Sequence, residues 1–108
     1  MTLFSCPYLK GEVELTDERE RHITENHPEL LPEYRNLLAV TLAEPDEIRL
    51  SSRFASARLF SRRFDMVRGV KNVVVVVITE KNPTSRHWIV TAYIARKLAG
   101  GNVEWKRS

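Results

Sequence analysis

Residues Val73 to Val77 are five consecutive valines, flanked by Asn72 on one side and Ile78-Thr79 on the other. β-Branched side chains favour extended backbone over helix. Successive side chains of a strand point to opposite faces, so a segment apolar at every position is apolar on both faces. Such a strand belongs in the middle of a sheet, covered on each side or nearly so. The apolar run Val73 to Ile78 is far too short to cross a bilayer. A sheet built around Asn72 to Thr79 is therefore the first expectation.

The remaining strands follow from alternation and turn residues. Glu47 to Ser51 alternates around Ile48 and Leu50, and Ala57 to Phe64 forms the next strand. Lys81-Asn82-Pro83-Thr84-Ser85 reads as a turn, followed by a strand from Trp88 to Ala95. Gly100-Gly101-Asn102 is a second turn, and Val103-Glu104-Trp105 a short last strand. The N-terminal part has a different period. Met1 to Gly11 reads as an extended arm and Glu12 to Leu15 as a brief strand. Thr16 or Asp17 opens a helix with Glu20 at capping-box spacing, and Pro28 ends it near His27. A second helix is expected from Pro32 to Ala43, with Tyr34, Leu37, Leu38 and Leu42 as its apolar stripe and Pro45 as its stop. Helices first and hairpins after predict one α+β domain over residues 1–108, with two helices packed on one face of a four- to five-stranded antiparallel sheet.

Charge is divided along the same boundary. From Met1 to Glu47, 4 Lys and Arg stand against 11 Asp and Glu, a net of −7. From Ile48 to Ser108, 13 stand against 3, a net of +10, and the two give the overall +3. A basic sheet beside an acidic helical half suits an anionic partner, nucleic acid above all. A pI of about 9.3 agrees, although by itself it means little beyond solubility. One cysteine, Cys6, excludes an intramolecular disulfide. With neither a signal peptide nor a membrane span expected, the chain reads as cytoplasmic.

His22 and His27 are the histidines of the helical half. They are five residues apart, about 140° around a helix at ~100° per residue, whereas two ligands on one face need a spacing of three or four. Neither a metal nor another cofactor is expected. Arg19, Asn26 and His27 share the face of Ile23, the only apolar residue in mid-helix. Either Asn26 and His27 satisfy the carbonyls at the helix end, or these polar groups line a cleft between helix and sheet, with His22 at its rim.

The basic strand Ala57-Arg58-Leu59-Phe60-Ser61-Arg62-Arg63-Phe64 places Arg58, Phe60, Arg62 and Phe64 on one face. Arginines between phenylalanines suit phosphate contact with base stacking, and equally a soluble edge strand. The strand Trp88 to Ala95 puts Trp88, Val90, Ala92 and Ile94 on one face and Ile89, Thr91, Tyr93 and Ala95 on the other, with Arg96 and Lys97 at its end. Hydroxyls, cations and histidine around one cleft are what RNA cleavage by 2′-OH attack requires.

His22-Ile23 through His27-Pro28-Glu29-Leu30, then Glu44-Pro45-Asp46, Ala57-Arg58-Leu59-Phe60 and Val90-Thr91-Ala92-Tyr93, resemble the phage- and bacteria-associated members of the barnase–EndoU–colicin–RelE-like (BECR) nuclease superfamily. The resemblance spans roughly Cys6 to Trp105. It implies N-terminal helices before a four-stranded antiparallel sheet, and metal-independent RNA cleavage in a cleft between helix and sheet. Its matching positions are His22, His27, an arginine of the second strand, Thr91 and Tyr93.

The expected function is a small endoribonuclease, of the toxin type that some members of the superfamily represent, that leaves a 2′,3′-cyclic phosphate. His22, His27, Arg62, Thr91 and Tyr93 are its candidate catalytic residues. Arg58, Phe60, Arg53, Arg96 and Lys97 are its candidate substrate contacts, and which arginine meets the scissile phosphate is left open. RNA is the expected partner, with an acidic inhibitor or antitoxin and a homodimer as further possibilities. A nucleic-acid-binding or protein-interaction module without chemistry is the alternative.

Overall fold

The computed structural model describes residues 1–53, 56–65, 69, 71–81, 85–98 and 100–107. In chain order these form β1 (Thr2–Cys6), a 3-10 turn (Pro7–Leu9), β2 (Gly11–Leu15), α1 (Asp17–Asn26), α2 (Arg35–Ala43), β3 (Glu47–Leu50), β4 (Ala57–Phe64), β5 (Lys71–Glu80), β6 (Arg86–Ala95) and β7 (Asn102–Lys106). The strands make one sheet in the order β1-β2-β6-β5-β4-β3-β7. The valine strand β5 is fourth of seven, the central position its two apolar faces demand.

The fold is α+β with two helices, but the sheet corrects the expectation of four to five antiparallel strands. The N-terminal arm is not a loose extension. Residues 2–6 and 11–15 pair as an antiparallel hairpin, in register from Thr2↔Leu15 to Cys6↔Gly11. β2 then joins β6 in parallel at Val13↔His87 and Glu14↔Trp88, so the seven-stranded sheet is mixed. Phe4, Cys6, Val13 and Leu15 alternate into the core. The turn expected at 81–85 includes Asn82, Pro83 and Thr84, which lie outside the described residues.

α1 begins as its sequence indicates. Thr16 caps it, its Oγ1 accepting from the Arg19 amide at 3.2 Å. Glu20 does not close a capping box. Its carboxylate instead takes both Nε and Nη2 of Arg35, at 2.7 and 3.2 Å, and ties α1 to α2. α2 starts at Arg35 rather than Pro32, because residues 27–34 are held in turns by backbone bonds such as Leu30 N to His27 O and Tyr34 N to Leu30 O.

The core lies between α2 and one face of the sheet. Leu37, Leu38 and Leu42 meet Val73, Val75, Val77, Phe60, Ile48, Ile89 and Ala92, with Ile23, Leu30 and Leu31 completing it. Tyr8, between β1 and β2, reaches the far edge strand β7. Its hydroxyl donates to Glu104 at 2.6 Å and its ring packs near those of Trp105 and Phe60. The sheet is therefore curled, its two edges meeting across the core face.

Candidate active site

The outer face of the curled sheet carries a trough made of two cavities of about 560 and 260 Å³ that share Leu59 and Tyr93. Its floor is the outer row of β4, β5 and β6: Ala57 and Leu59, then Val74, Val76 and Ile78, then Val90, Thr91, Tyr93 and Ala95. Its rim comes from β3 and two connections. Arg49 lies on β3, Ser51, Ser52 and Arg53 follow it, and Lys97, Leu98, Gly100 and Gly101 precede β7. Three cations and no carboxylate stand among the described residues that line it. A mostly apolar concavity with a few polar groups is the usual form of a ligand site.

A β-bulge aims the polar groups of β6. Val76 pairs with Thr91 but Val77 pairs with Ile89, so Val90 is the extra residue. Strict alternation across Trp88–Ala95 therefore fails. Val90 and Thr91 both reach the trough, while Ile89 and Ala92 are both buried in the core. The Val90 carbonyl accepts a bond from Arg19 Nη1 at 3.4 Å, beyond the two residue pairs that join β2 to β6. α1 thus packs against β6, and its C-terminal end comes to Tyr93.

There His27 meets Tyr93, with ring centroids 6.0 Å apart and planes inclined by 40°. His27 is the C-cap of α1, its amide bonded to Ile23 O, and its Nδ1 lies 3.3 Å from Glu29 Oε1. Tyr93 is half-buried, and burial pushes its phenol above the ordinary value of 10.0. It is a neutral donor at physiological pH, and neither its hydroxyl nor that of Thr91 has a protein partner among the described residues.

Arg49 is the residue that sequence reasoning missed. Its Nε is bonded to Glu47 at 2.7 Å and its Nη1 to Gly100 O at 3.3 Å, which holds the guanidinium rigidly in the wall. A β3 arginine paired two residues away offers no signal in the sequence that tells wall from solvent. Gly101 brings the two connections together: with φ of +73°, a side-chain carbon there would lie 2.1 Å from Leu50 O. Arg53 and Lys97 are exposed on the rim and form no ion pair with a described residue.

Four sequence-predicted site residues line the trough, Thr91, Tyr93, Arg53 and Lys97, and a fifth, His27, reaches it only through its ring contact with Tyr93. Five do neither. His22 is exposed, its Nδ1 3.3 Å from Asn26 Nδ2, on a different side of α1 from His27. Asn26 itself donates to His22 O at 2.8 Å, the helix-end role open to it. Arg58, Phe60 and Arg62 do share a face of β4, but it is the core face. Phe60 is fully buried and offers no stacking surface. Arg58 is ion-paired with Glu104 at 2.8 Å, and Arg62 lies over the Phe64 ring and donates to Glu44 O. Arg96 is exposed beyond β6 and its carbonyl accepts from Asn72. The expected cleft between α1 and the sheet is not where these residues gather: the trough lies on the outer face, and a separate cavity of about 520 Å³ on the helix side is lined by Tyr8, Ala43, Glu44, Trp105 and Arg107, none of them a predicted site residue.

Comparison of the chain with protein-family models, curated proteins and solved structures gave no match.

Proposed function

We propose that the protein is a small endoribonuclease of the BECR type, acting in the outer-face trough without a metal ion. The observation that carries this reading is the meeting of Tyr93 and Thr91 with Arg49, Arg53 and Lys97 in a concavity whose described lining residues include no carboxylate, with the His27 ring packed near that of Tyr93. The cations attract a phosphodiester, and an adjacent imidazole and phenol supply what its cleavage needs. Arg49, preorganised by Glu47, meets charge developing on the scissile phosphate, with Arg53 and Lys97 on neighbouring phosphates. Tyr93 and Thr91 donate hydrogen bonds to the reacting group. His27 accepts the 2′-OH proton as the 2′-oxygen bonds to phosphorus. The P–O5′ bond then breaks, solvent protonates the 5′-oxygen, and His27 returns its proton to solvent. The products are a 2′,3′-cyclic phosphate and a 5′-hydroxyl. An acidic inhibitor would cover the same trough.

The test is incubation of the protein with a labelled RNA oligonucleotide in EDTA, beside His27→Ala. The expected result is cyclic-phosphate fragments from the wild type and a rate about 10²–10⁴-fold lower in the variant. A folded His27→Ala protein of full activity would reject the role of the imidazole. Binding without cleavage across RNA substrates would replace the reading with a nucleic-acid-binding module.

A further inference from the structure

The turn after α1 is held at both ends. The Leu30 and Leu31 amides both bond to His27 O, at 3.0 and 3.3 Å, and the Tyr34 amide bonds to Leu30 O. Leu30 and Leu31 are fully buried, so the short segment carrying Glu29 is anchored in the core one residue beyond it. Pro28 restricts the backbone between His27 and Glu29. Two partly exposed polar side chains therefore project from a fixed backbone, and the contact they make is His27 Nδ1 to Glu29 Oε1 at 3.3 Å. From the sheet side the group that faces the imidazole is the Tyr93 ring. His22 and Asn26, the other polar groups at this end of α1, are engaged with each other.

We propose that Glu29 is a positioning residue for His27, an inference that rests on the nuclease reading for its catalytic consequence and on geometry alone for its structural one. The carboxylate accepts from Nδ1–H and so selects the tautomer in which Nε2 carries the lone pair. Nε2 has no protein partner among the described residues and is the atom that takes the 2′-OH proton. The imidazolium that results lies against the carboxylate, as in a hydrolase triad where an acid orients the base. Contacts of this kind are long in unliganded sites and shorten when the substrate is bound.

The experiment joins a spectroscopic readout to kinetics. Long-range ¹⁵N–¹H spectra of the neutral His27 ring report which nitrogen bears the proton, whether or not the protein cleaves RNA. The wild type is expected to be mainly Nδ1–H, Glu29→Gln to keep that tautomer through its amide oxygen, and Glu29→Ala to revert towards Nε2–H. Cleavage is expected to fall roughly 10²-fold in kcat for Glu29→Ala with little change in KM, and less for Glu29→Gln. A wild-type ring that is not Nδ1–H, or a tautomer unmoved in Glu29→Ala, would overturn the positioning role. If the tautomer depends on Glu29 but no RNA is cleaved, the imidazole is positioned as proposed and the nuclease reading is what falls.

Discussion

Phe60 is the residue at which sequence and structure diverge most instructively. Its place between Arg58 and Arg62 has the pattern of a base-stacking strand, and the alternation itself is correct. Which face meets solvent cannot be read from alternation, because both rows of β4 mix apolar and polar groups. The structure puts Phe60 opposite Val75, against the Tyr8 ring, wholly inside. Phe60→Ala is therefore expected to lower stability by about 3–5 kcal/mol through cavity formation, and Phe60→Leu by less. Chemical denaturation measures it. A folded Phe60→Ala protein of unchanged stability but weakened RNA binding would return the residue to the substrate surface.

Among the elements, β7 is held by more than its ladder to β3. Glu104 accepts from Tyr8 OH and from Arg58 Nε, so one carboxylate links the turn after β1, strand β4 and the last strand. Burial alone would raise the Glu104 pKa. The bonds from Arg58 and Tyr8 and the charge of Arg58 outweigh it, and the value falls below the ordinary 4.5. A depressed carboxylate pKa stabilises the fold above the unfolded value and ceases to do so as pH falls through the folded one. Stability should thus decline below about pH 4.5, and Glu104→Gln should flatten that decline while costing about 1–3 kcal/mol at neutral pH. Thermal melts between pH 3 and pH 7 show both effects. A pH profile identical in Glu104→Gln and wild type would mean that other carboxylates govern acid unfolding.

For the whole molecule, segregation of charge becomes a difference between surfaces. The acidic half forms α1, α2 and the first hairpin. The basic half supplies the trough and its rim. If nucleic acid binds there, Arg53→Gln and Lys97→Gln should each weaken affinity and reduce the salt dependence by about 0.7 in log–log slope for a single strand. Arg21→Gln, exposed on α1, should leave the slope unchanged. Fluorescence anisotropy against salt, with a 2′-deoxy oligonucleotide that cannot be cleaved by 2′-OH attack, separates binding from chemistry. Equal slope changes for all three variants would place binding on no particular face.

The sequence alone determined whatever depends on local period and local chemistry. Five valines dictate a central strand, Thr16 and Pro28 bracket α1, and Leu37, Leu38 and Leu42 make one stripe on α2. Thr91 and Tyr93 were legible as a polar pair on a strand, and His27 as a polar group at a helix end. Only the tertiary structure decided what these groups face. The parallel pairing of β2 with β6 joins residues more than 70 positions apart and leaves no mark in either segment. The Val90 bulge reverses half of β6 through its register with Val76 and Val77, a property of the pair of strands. α1 packs against β6 and brings His27 to Tyr93, and bonds to Glu47 and Gly100 set Arg49 into the wall. Side chains define a strand's two faces; the partners that close over one of them define which is the core.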